Sequence, residues 1–381
     1  MHHASAPLRD DKPLSSPSLI RKILPFRPRP GSGIEPKPLI WDSKTFIMGI
    51  LNLTPDSFSE ISTQPHCPSL ESSMEVLLEM VKNGLDLIDI GGQSTRPFAT
   101  EVSVEEEISR IIPIIRAIRS HARPEIHSLI ISVDTFQSLV AKEALEAGAD
   151  MINDVTGGTR DPDMWSLLAE VQVPMVVMHS RGTPSTMTSP SETTYSEGVV
   201  SQVSKELWIR LKFGLSRGVR RWSLVLDPGI GFAKTCDGNL DILRGLKQFG
   251  EMGVGGGAEE VRAGGEGDME GSFSNLEPIK GLSSSILELE KGSTSSKYRP
   301  HLESRIDFPS MRGFPILLGT SRKSFIGQIT GVSIPKERVL GTAATCMAGI
   351  LGGCHLLRVH DVKEMSQVGR MGDAIVQKGL K

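Results

Sequence analysis

The chain has 381 residues, 38% of them hydrophobic and 23% charged, enough apolar material for a sizeable core in one large domain or in two to three ordinary ones. A formal net charge of −3 gives no electrostatic case for nucleic acid or an anionic membrane surface, so any anion site must be local. No apolar run approaches the roughly 18 to 20 residues of a membrane span, and the four cysteines form no CxxC pattern, so reduced thiols in an intracellular protein are expected rather than a disulfide framework.

Residues 1–38 are rich in Pro, Ser and Arg, as in RKILPFRPRP at 21–30, and read as a disordered leader or linker. They lack the long apolar stretch of a secretory signal. A mitochondrial presequence is the alternative, although Asp10 and Asp11 are unusual in one, so the compartment stays open between cytosol and mitochondrion. Over 39–381 apolar runs of strand length alternate with segments of helical period. Phe46–Leu51 (FIMGIL) precedes a helix over Leu70–Asn83 that Gly84 can close. Leu85–Ile90 precedes a helix over Ser103–His121, opened by Ser103 and Glu106 in capping-box spacing. Ser128–Val133 leads to Phe136–Ala147, and Asp150–Asn153 to Asp161–Val171, where Pro162 suits the first helical position and Asp161 the cap. Pro174–Met178 leads to Tyr195–Ser216, and Ser223–Leu226 to Leu240–Phe249. The Gly-, Glu- and Ser-rich stretch 250–310 cannot bury enough apolar surface to order itself and reads as an insertion at the bottom of the fold. Pro315–Leu318 with Lys336–Leu351, then His355–Val359 with Asp361–Lys378, complete the series. The runs are continuously apolar, as strands buried on both faces of a parallel sheet read. Eight strand–helix pairs predict an α/β fold, a (β/α)8 TIM barrel, with a doubly wound open sheet as the alternative.

A barrel places its active site at the C-terminal ends of its strands. Nearly every one of those ends carries carboxylate, amide or cationic residues. Asp361 or Asp161 alone reads as a helix cap, and Asp89 alone could bond backbone between strands. The convergence of the whole set on one rim is harder to explain structurally. Asp89, Asp134, Asn153, Asp227 and Lys323 offer the donors and acceptors that a flat hydrogen-bonding heterocycle needs. Asn52, Arg96, Arg358 and His360 read as an anion subsite, since Arg forks match phosphate oxygens. No HxH, HExxH or Cys/His spacing suggests catalytic zinc. Magnesium bound through a diphosphate and one or two protein oxygens fits better. The loops after the first two strands carry the Pro, Gly, Ser and Thr of segments that can close over a site.

Seven motifs, NLTPDSFS (52–59), DIGGQSTRP (89–97), SVDT (132–135), IND (152–154), LDPGIGF (226–232), SRKS (321–324) and RVHDV (358–362), occur in barrel order and resemble dihydropteroate synthase, including the last part of fused fungal folate-synthesis proteins. The resemblance runs from about residue 40 to the C-terminus, outside 250–310. It implies condensation of 6-hydroxymethyl-7,8-dihydropterin pyrophosphate with p-aminobenzoate, giving 7,8-dihydropteroate and pyrophosphate, with Mg2+ as cofactor and a homodimer as the common assembly. By resemblance, Asp89, Asp134, Asn153, Asp227 and Lys323 form the pterin pocket and Arg358 packs against the pterin ring. Asn52, as the metal-binding residue, with Arg96 and His360 forms the pyrophosphate subsite. Thr95, Pro97, Phe232 and Ser324 frame p-aminobenzoate, Phe58 helps to close that pocket, and Ser321 joins the substrate-binding set. Asp134, Lys323, Arg96 and His360 carry the catalytic roles.

Gln93, Phe98 and Ala233 depart from the family's frequent Glu, Gly and Gly, which bears on the second loop and the p-aminobenzoate rim. Two other readings share parts of the pattern. A pterin-binding methyltransferase domain would need neither SRKS nor RVHD, and a non-catalytic pterin-binding subunit would be expected to lack Asp134, Lys323 or Arg358.

Overall fold

The computed structural model describes residues 23, 24, 26, 38–41, 43–55, 68–251, 311 and 313–376. Eight parallel strands make one sheet: β3 (Phe46–Asn52), β4 (Leu87–Gly91), β5 (Ile130–Asp134), β6 (Met151–Asp154), β7 (Met175–Met178), β8 (Leu224–Asp227), β9 (Leu317–Leu318) and β10 (Leu356–Val359). Their spatial order is β8-β7-β6-β5-β4-β3-β10-β9. The sheet closes where Leu226 bridges Ile316 in parallel and its N–H donates to Pro315 O at 2.8 Å. The fold is therefore a (β/α)8 barrel, and the open doubly wound alternative falls.

Strand alternation divides the core in two. Phe46, Met48, Leu87, Ile130, Met151, Val176, Val225, Leu317 and Leu356 draw from all eight strands and form one buried cluster inside the barrel. Residues of the opposite parity, such as Ile88, Val133, Ile152, Val177, Leu226 and Leu357, pack outward with the helices in a second, larger cluster. Both faces are dry, which is why the strands carry no polar alternation below their upper ends. Each large apolar side chain fully buried in these layers contributes about 1.5–3 kcal/mol.

The helices follow their strands: α1 (Leu70–Lys82), α2 (Val104–Arg119), the short α3 (Pro124–His127), α4 (Ser138–Ala147), α5 (Asp163–Val171), the short α6 (Pro190–Thr193), α7 (Val199–Ser216), α8 (Cys236–Arg244), α9 (Leu246–Glu251), α10 (Ser324–Thr330), α11 (Val339–Leu351) and α12 (Val362–Val376). Ser103 caps α2 by accepting from Glu106 N at 3.2 Å, but Glu106 turns to Arg110 instead of completing a capping box. Asp161 accepts from the N–H groups of both Asp163 (3.0 Å) and Ser138 (2.7 Å), so one carboxylate serves the starts of α5 and α4. The helix expected from Tyr195 begins at Val199, after Gly198 at φ 79°. The helix expected over Leu240–Phe249 is two, broken at Gly245, where a Cβ would lie 2.8 Å from Val200. The SRKS segment opens a helix, α10, that the periodicity did not reveal.

The expectation of a disordered stretch over 1–38 needs correction where residues are described. Ile23–Leu24 (β1) pairs antiparallel with Leu39–Ile40 (β2). Leu24, Leu39 and Trp41 are buried in the interior cluster, with Phe26 packed against it, so this hairpin adds to the barrel's internal apolar layer. Apart from the end of α9, the 250–310 insertion lies outside the described residues up to Met311. Among the described residues no helix is long and apolar enough to cross a membrane.

Candidate active site

Two residues beyond the interior apolar layer, or four on β5, the same inward parity reaches Asp89 on β4, Asp134 on β5, Asn153 on β6, Asp227 on β8 and Arg358 on β10. Alternation alone thus gathers five of the expected residues at the upper end of the barrel. Arg358 Nε donates to Asp89 Oδ2 at 2.6 Å and its Nη2 to Asp134 Oδ2 at 2.5 Å. Asn153 Nδ2 donates to the same Asp89 oxygen at 2.9 Å. Asp89 Oδ1 is buried and has no hydrogen-bond partner among the described residues, and neither has the Oγ of its register neighbour Ser132. An unpaired buried carboxylate oxygen is costly, and such an atom in a polar layer is an acceptor waiting for a donor. Burial works against the Arg358 charge, but Asp89 and Asp134 outweigh it and hold the guanidinium protonated. Burial drives the Asp134 carboxyl above its ordinary range, with Arg358 pulling the other way and Asp89 adding to the rise.

Asp227 accepts from Gly229 N at 2.7 Å and is raised by burial against the pull of Lys323. Lys323 donates to Ile230 O, lies 4.5 Å from the centre of the Phe232 ring, and is pushed down to about 8 by burial, with Asp227 opposing. Gly231 allows this approach, since a Cβ there would sit 2.6 Å from Lys323 Cδ. The preceding residue, Arg322, is held at φ 60° and forks onto Asp361 through Nε (3.0 Å) and Nη2 (2.5 Å). Asp361, a helix cap by its sequence position, instead ties the β10 loop to the β9 loop.

His360 sits beside this tie. Its backbone N–H donates to Ser321 Oγ at 3.1 Å, and the same hydroxyl lies 3.0 Å from His360 Nδ1, where it is able to donate. When the hydroxyl donates in this way, the imidazole proton sits on Nε2 and is available to a ligand. Burial first, then Arg322, Arg358, Arg96 and Lys323, push the imidazole down to about 3, so it is neutral near pH 7. It can donate to an anion but adds no charge of its own.

Asn52 ends β3 opposite Gly91. A Cβ at Gly91 would lie 3.4 Å from Asp134 Cβ and 3.6 Å from Asn52 Oδ1, so glycine keeps the gap between these two side chains open. Thr95 is half-buried, while Arg96, Pro97 and Ser324 are exposed at the mouth. Phe98 adopts φ 65° with its N–H on Pro184 O at 3.0 Å. It borders a rim cavity of about 360 Å³ with Glu101, Arg160 and Thr183 that none of the inward-facing residues lines.

The family model for "Pterin binding enzyme" matches residues 48–277 and 293–360. The chain belongs to this family. It is similar to the dihydropteroate synthase of Synechocystis sp., 36% identical over 335 residues that cover 88% of this chain and 91% of that one. It is also 36% identical over 341 residues to the mitochondrial folate synthesis bifunctional protein of Arabidopsis thaliana, covering 89% of this chain but 51% of that one. The chain thus spans about half the length of that bifunctional relative. Among solved structures, the dihydropteroate synthase of Xanthomonas albilineans with 4-aminobenzoic acid matches at TM-score 0.64 and 31% identity, over 89% of this chain and 95% of that one.

Within this pterin-binding barrel the two departures from the family's glycines become legible: Phe98 (φ 65°) and Ala233 (φ 49°) keep the left-handed backbone that glycine takes most easily. Arg358, grouped by its chemistry with the anion subsite, has its guanidinium on Asp89 and Asp134, inside the carboxylate cluster. Phe58 lies outside the described residues. Sequence reasoning passed over Arg322, whose role rests on a backbone angle and a partner 39 residues away, and over Gly91, whose role is the space it leaves.

Proposed function

We propose that the chain is a dihydropteroate synthase. It joins 6-hydroxymethyl-7,8-dihydropterin pyrophosphate to p-aminobenzoate: the bond from the pterin methylene carbon to the pyrophosphate oxygen breaks, a carbon–nitrogen bond to the aniline forms, and the aniline nitrogen loses a proton. The observation that carries this reading is the buried Asp89–Asn153–Arg358–Asp134 cluster, whose Asp89 Oδ1 meets no donor among the described residues. An aminopyrimidinone edge supplies adjacent N–H donors to such an acceptor, and Asp227 with Lys323 meets the rest of the ring.

Arg96 and the Nε2–H of His360 receive the developing negative charge of pyrophosphate, and Asp134 stabilises positive charge on the pterin. The aniline is nucleophilic near neutral pH, so no base is required. Asn52 Oδ1 and the room kept by Gly91 suit a magnesium ion that also binds the diphosphate, where it would offset leaving-group charge. Thr95, Pro97, Phe232 and Ser324 frame p-aminobenzoate and the approach to it, and Ser321 serves substrate binding through His360. A homodimer is part of the reading: α11 leaves Leu340, 85% exposed, and Leu351 open to solvent, and Ile329 and Ile334 in and after α10 are exposed as well, large apolar side chains of the kind subunits cover.

The test is pyrophosphate release by the purified chain with both substrates and magnesium. Release that needs all three, and falls at least a hundredfold in Lys323→Ala, supports the synthase reading. A folded protein that binds pterin and releases no pyrophosphate would move the assignment to a non-catalytic pterin-binding protein.

A further inference from the structure

A buried charge network lies behind the site and takes no part in the chemistry above. β7 runs into His179, which is fully buried, and β8 runs into a turn that ends at Lys234. Lys234 Nζ donates to Gly229 O at 2.9 Å and Phe232 O at 3.0 Å and lies 3.1 Å from His179 Nδ1. His179 Nε2 is 2.9 Å from Glu206 Oε2, and Arg181 grips both oxygens of Glu206. The Arg181 guanidinium stacks 4.0 Å from the centre of the Tyr195 ring, and the Tyr195 hydroxyl donates to Ala233 O at 2.9 Å. The contacts form a closed ring that begins and ends on the same turn.

The protons can be counted. Burial opposes ionisation of Glu206, but His179 and Arg181 hold it down at about 2, so it is a carboxylate and takes the Nε2–H of His179. Nδ1 is then an acceptor. With Gly229 O and Phe232 O it gives Lys234 Nζ three acceptors, the set an ammonium needs, against the burial that pulls this amine well below its ordinary range and with Asp227 opposing that pull. Buried ionic networks seldom beat apolar packing in stability, so one that is fully satisfied and wrapped round a single turn calls for a role in fixing geometry.

The turn needs fixing. Gly229, Gly231 and Ala233 all have positive φ, at 69°, 80° and 49°. Lys234 binds its carbonyls at 229 and 232, Tyr195 the one at 233, and the substrate-side Lys323 the one at 230. Resting on the synthase reading, we infer that Lys234 is a positioning residue: through Gly229 O and Phe232 O it holds the turn that sets the Phe232 ring and the Ile230 carbonyl against Lys323, and so fixes the p-aminobenzoate end of the site.

Steady-state kinetics of Lys234→Met, which keeps the stem and removes the donors, test this beside wild type. The KM for p-aminobenzoate rises about tenfold or more, as loss of two carbonyl clamps implies, while the KM for the pterin substrate, which the same turn reaches only through Asp227 and Lys323 and which Asp89 and Asn153 hold independently across the barrel, rises several-fold less. His179→Gln, which retains an acceptor towards Lys234 and a donor towards Glu206, keeps a near-normal KM, whereas His179→Leu behaves like Lys234→Met. A folded Lys234→Met with both KM values unchanged, or an equal rise in both, overturns the inference while leaving the synthase reading intact. If Lys234→Met does not fold, Tyr195→Phe decides: a selective rise in the KM for p-aminobenzoate supports the role, and no rise overturns it. A wild type that releases no pyrophosphate removes the synthase reading and this inference with it.

Discussion

Replacing Asp89 by Asn isolates the acceptor on which pterin recognition is proposed to rest. The wild-type carboxylate gives Oδ2 to Asn153 Nδ2 (2.9 Å) and Arg358 Nε (2.6 Å), both donors, and leaves Oδ1 unpartnered. An Asn in that position must keep its oxygen on those two donors, because turning its NH2 towards them sets donor against donor. The amide NH2 then occupies the place of Oδ1, and the site offers a donor to a ligand edge that also donates. Loss of a charged hydrogen bond plus an unpaired buried donor amounts to about 2–3 kcal/mol, so kcat/KM for the pterin substrate falls roughly 30- to 150-fold. The KM for p-aminobenzoate stays within about threefold of wild type. Arg358 keeps Asp134, so the variant should fold, which circular dichroism checks. Pterin affinity from fluorescence titration should fall in parallel with kcat/KM. A folded Asp89→Asn that binds pterin as tightly as wild type would refute the placing of the heterocycle against Asp89.

Two further outcomes follow from the same geometry. Lys323, pushed down to about 8 by burial, is charged below that pH and neutral above it, so kcat/KM for the pterin substrate declines as pH rises through about 8. Lys323→Arg, which stays protonated throughout, lowers the rate at pH 7 but removes that alkaline limb; a limb that persists unchanged assigns it to another group. Phe98 is 73% exposed and holds φ 65°, so Phe98→Gly loses little burial and relieves backbone strain. Urea titration of Phe98→Gly should show a gain of about 1 kcal/mol, and a loss of stability would mean the side chain packs in a way the exposed loop does not indicate.

The order of elements was legible because a barrel of consecutive parallel strands needs each strand buried on both faces, and eight apolar runs show that directly. The upper ends of those runs carried the site residues, since alternation carries Leu87 to Asp89, Ile130 and Ser132 to Asp134, Met151 to Asn153, Val225 to Asp227 and Leu356 to Arg358 on the inward face. What the residues do to one another was not legible. Arg358 meets Asp89 and Asp134 across 269 and 224 residues of sequence, and only closure of the sheet through β3 and β10 makes them neighbours. The proton position on His360 depends on a Ser321 hydroxyl that two loops bring within 3.0 Å. Leu24 looked like part of an irregular leader because two-residue strands have no period to detect; its burial depends on an interior layer to which every barrel strand contributes. Local pattern decides which residues face inward, because the pleat of a strand is set residue by residue. Pairing, protonation and the angle of a clamped turn are decided by groups distant in sequence, and only the folded barrel brings those together.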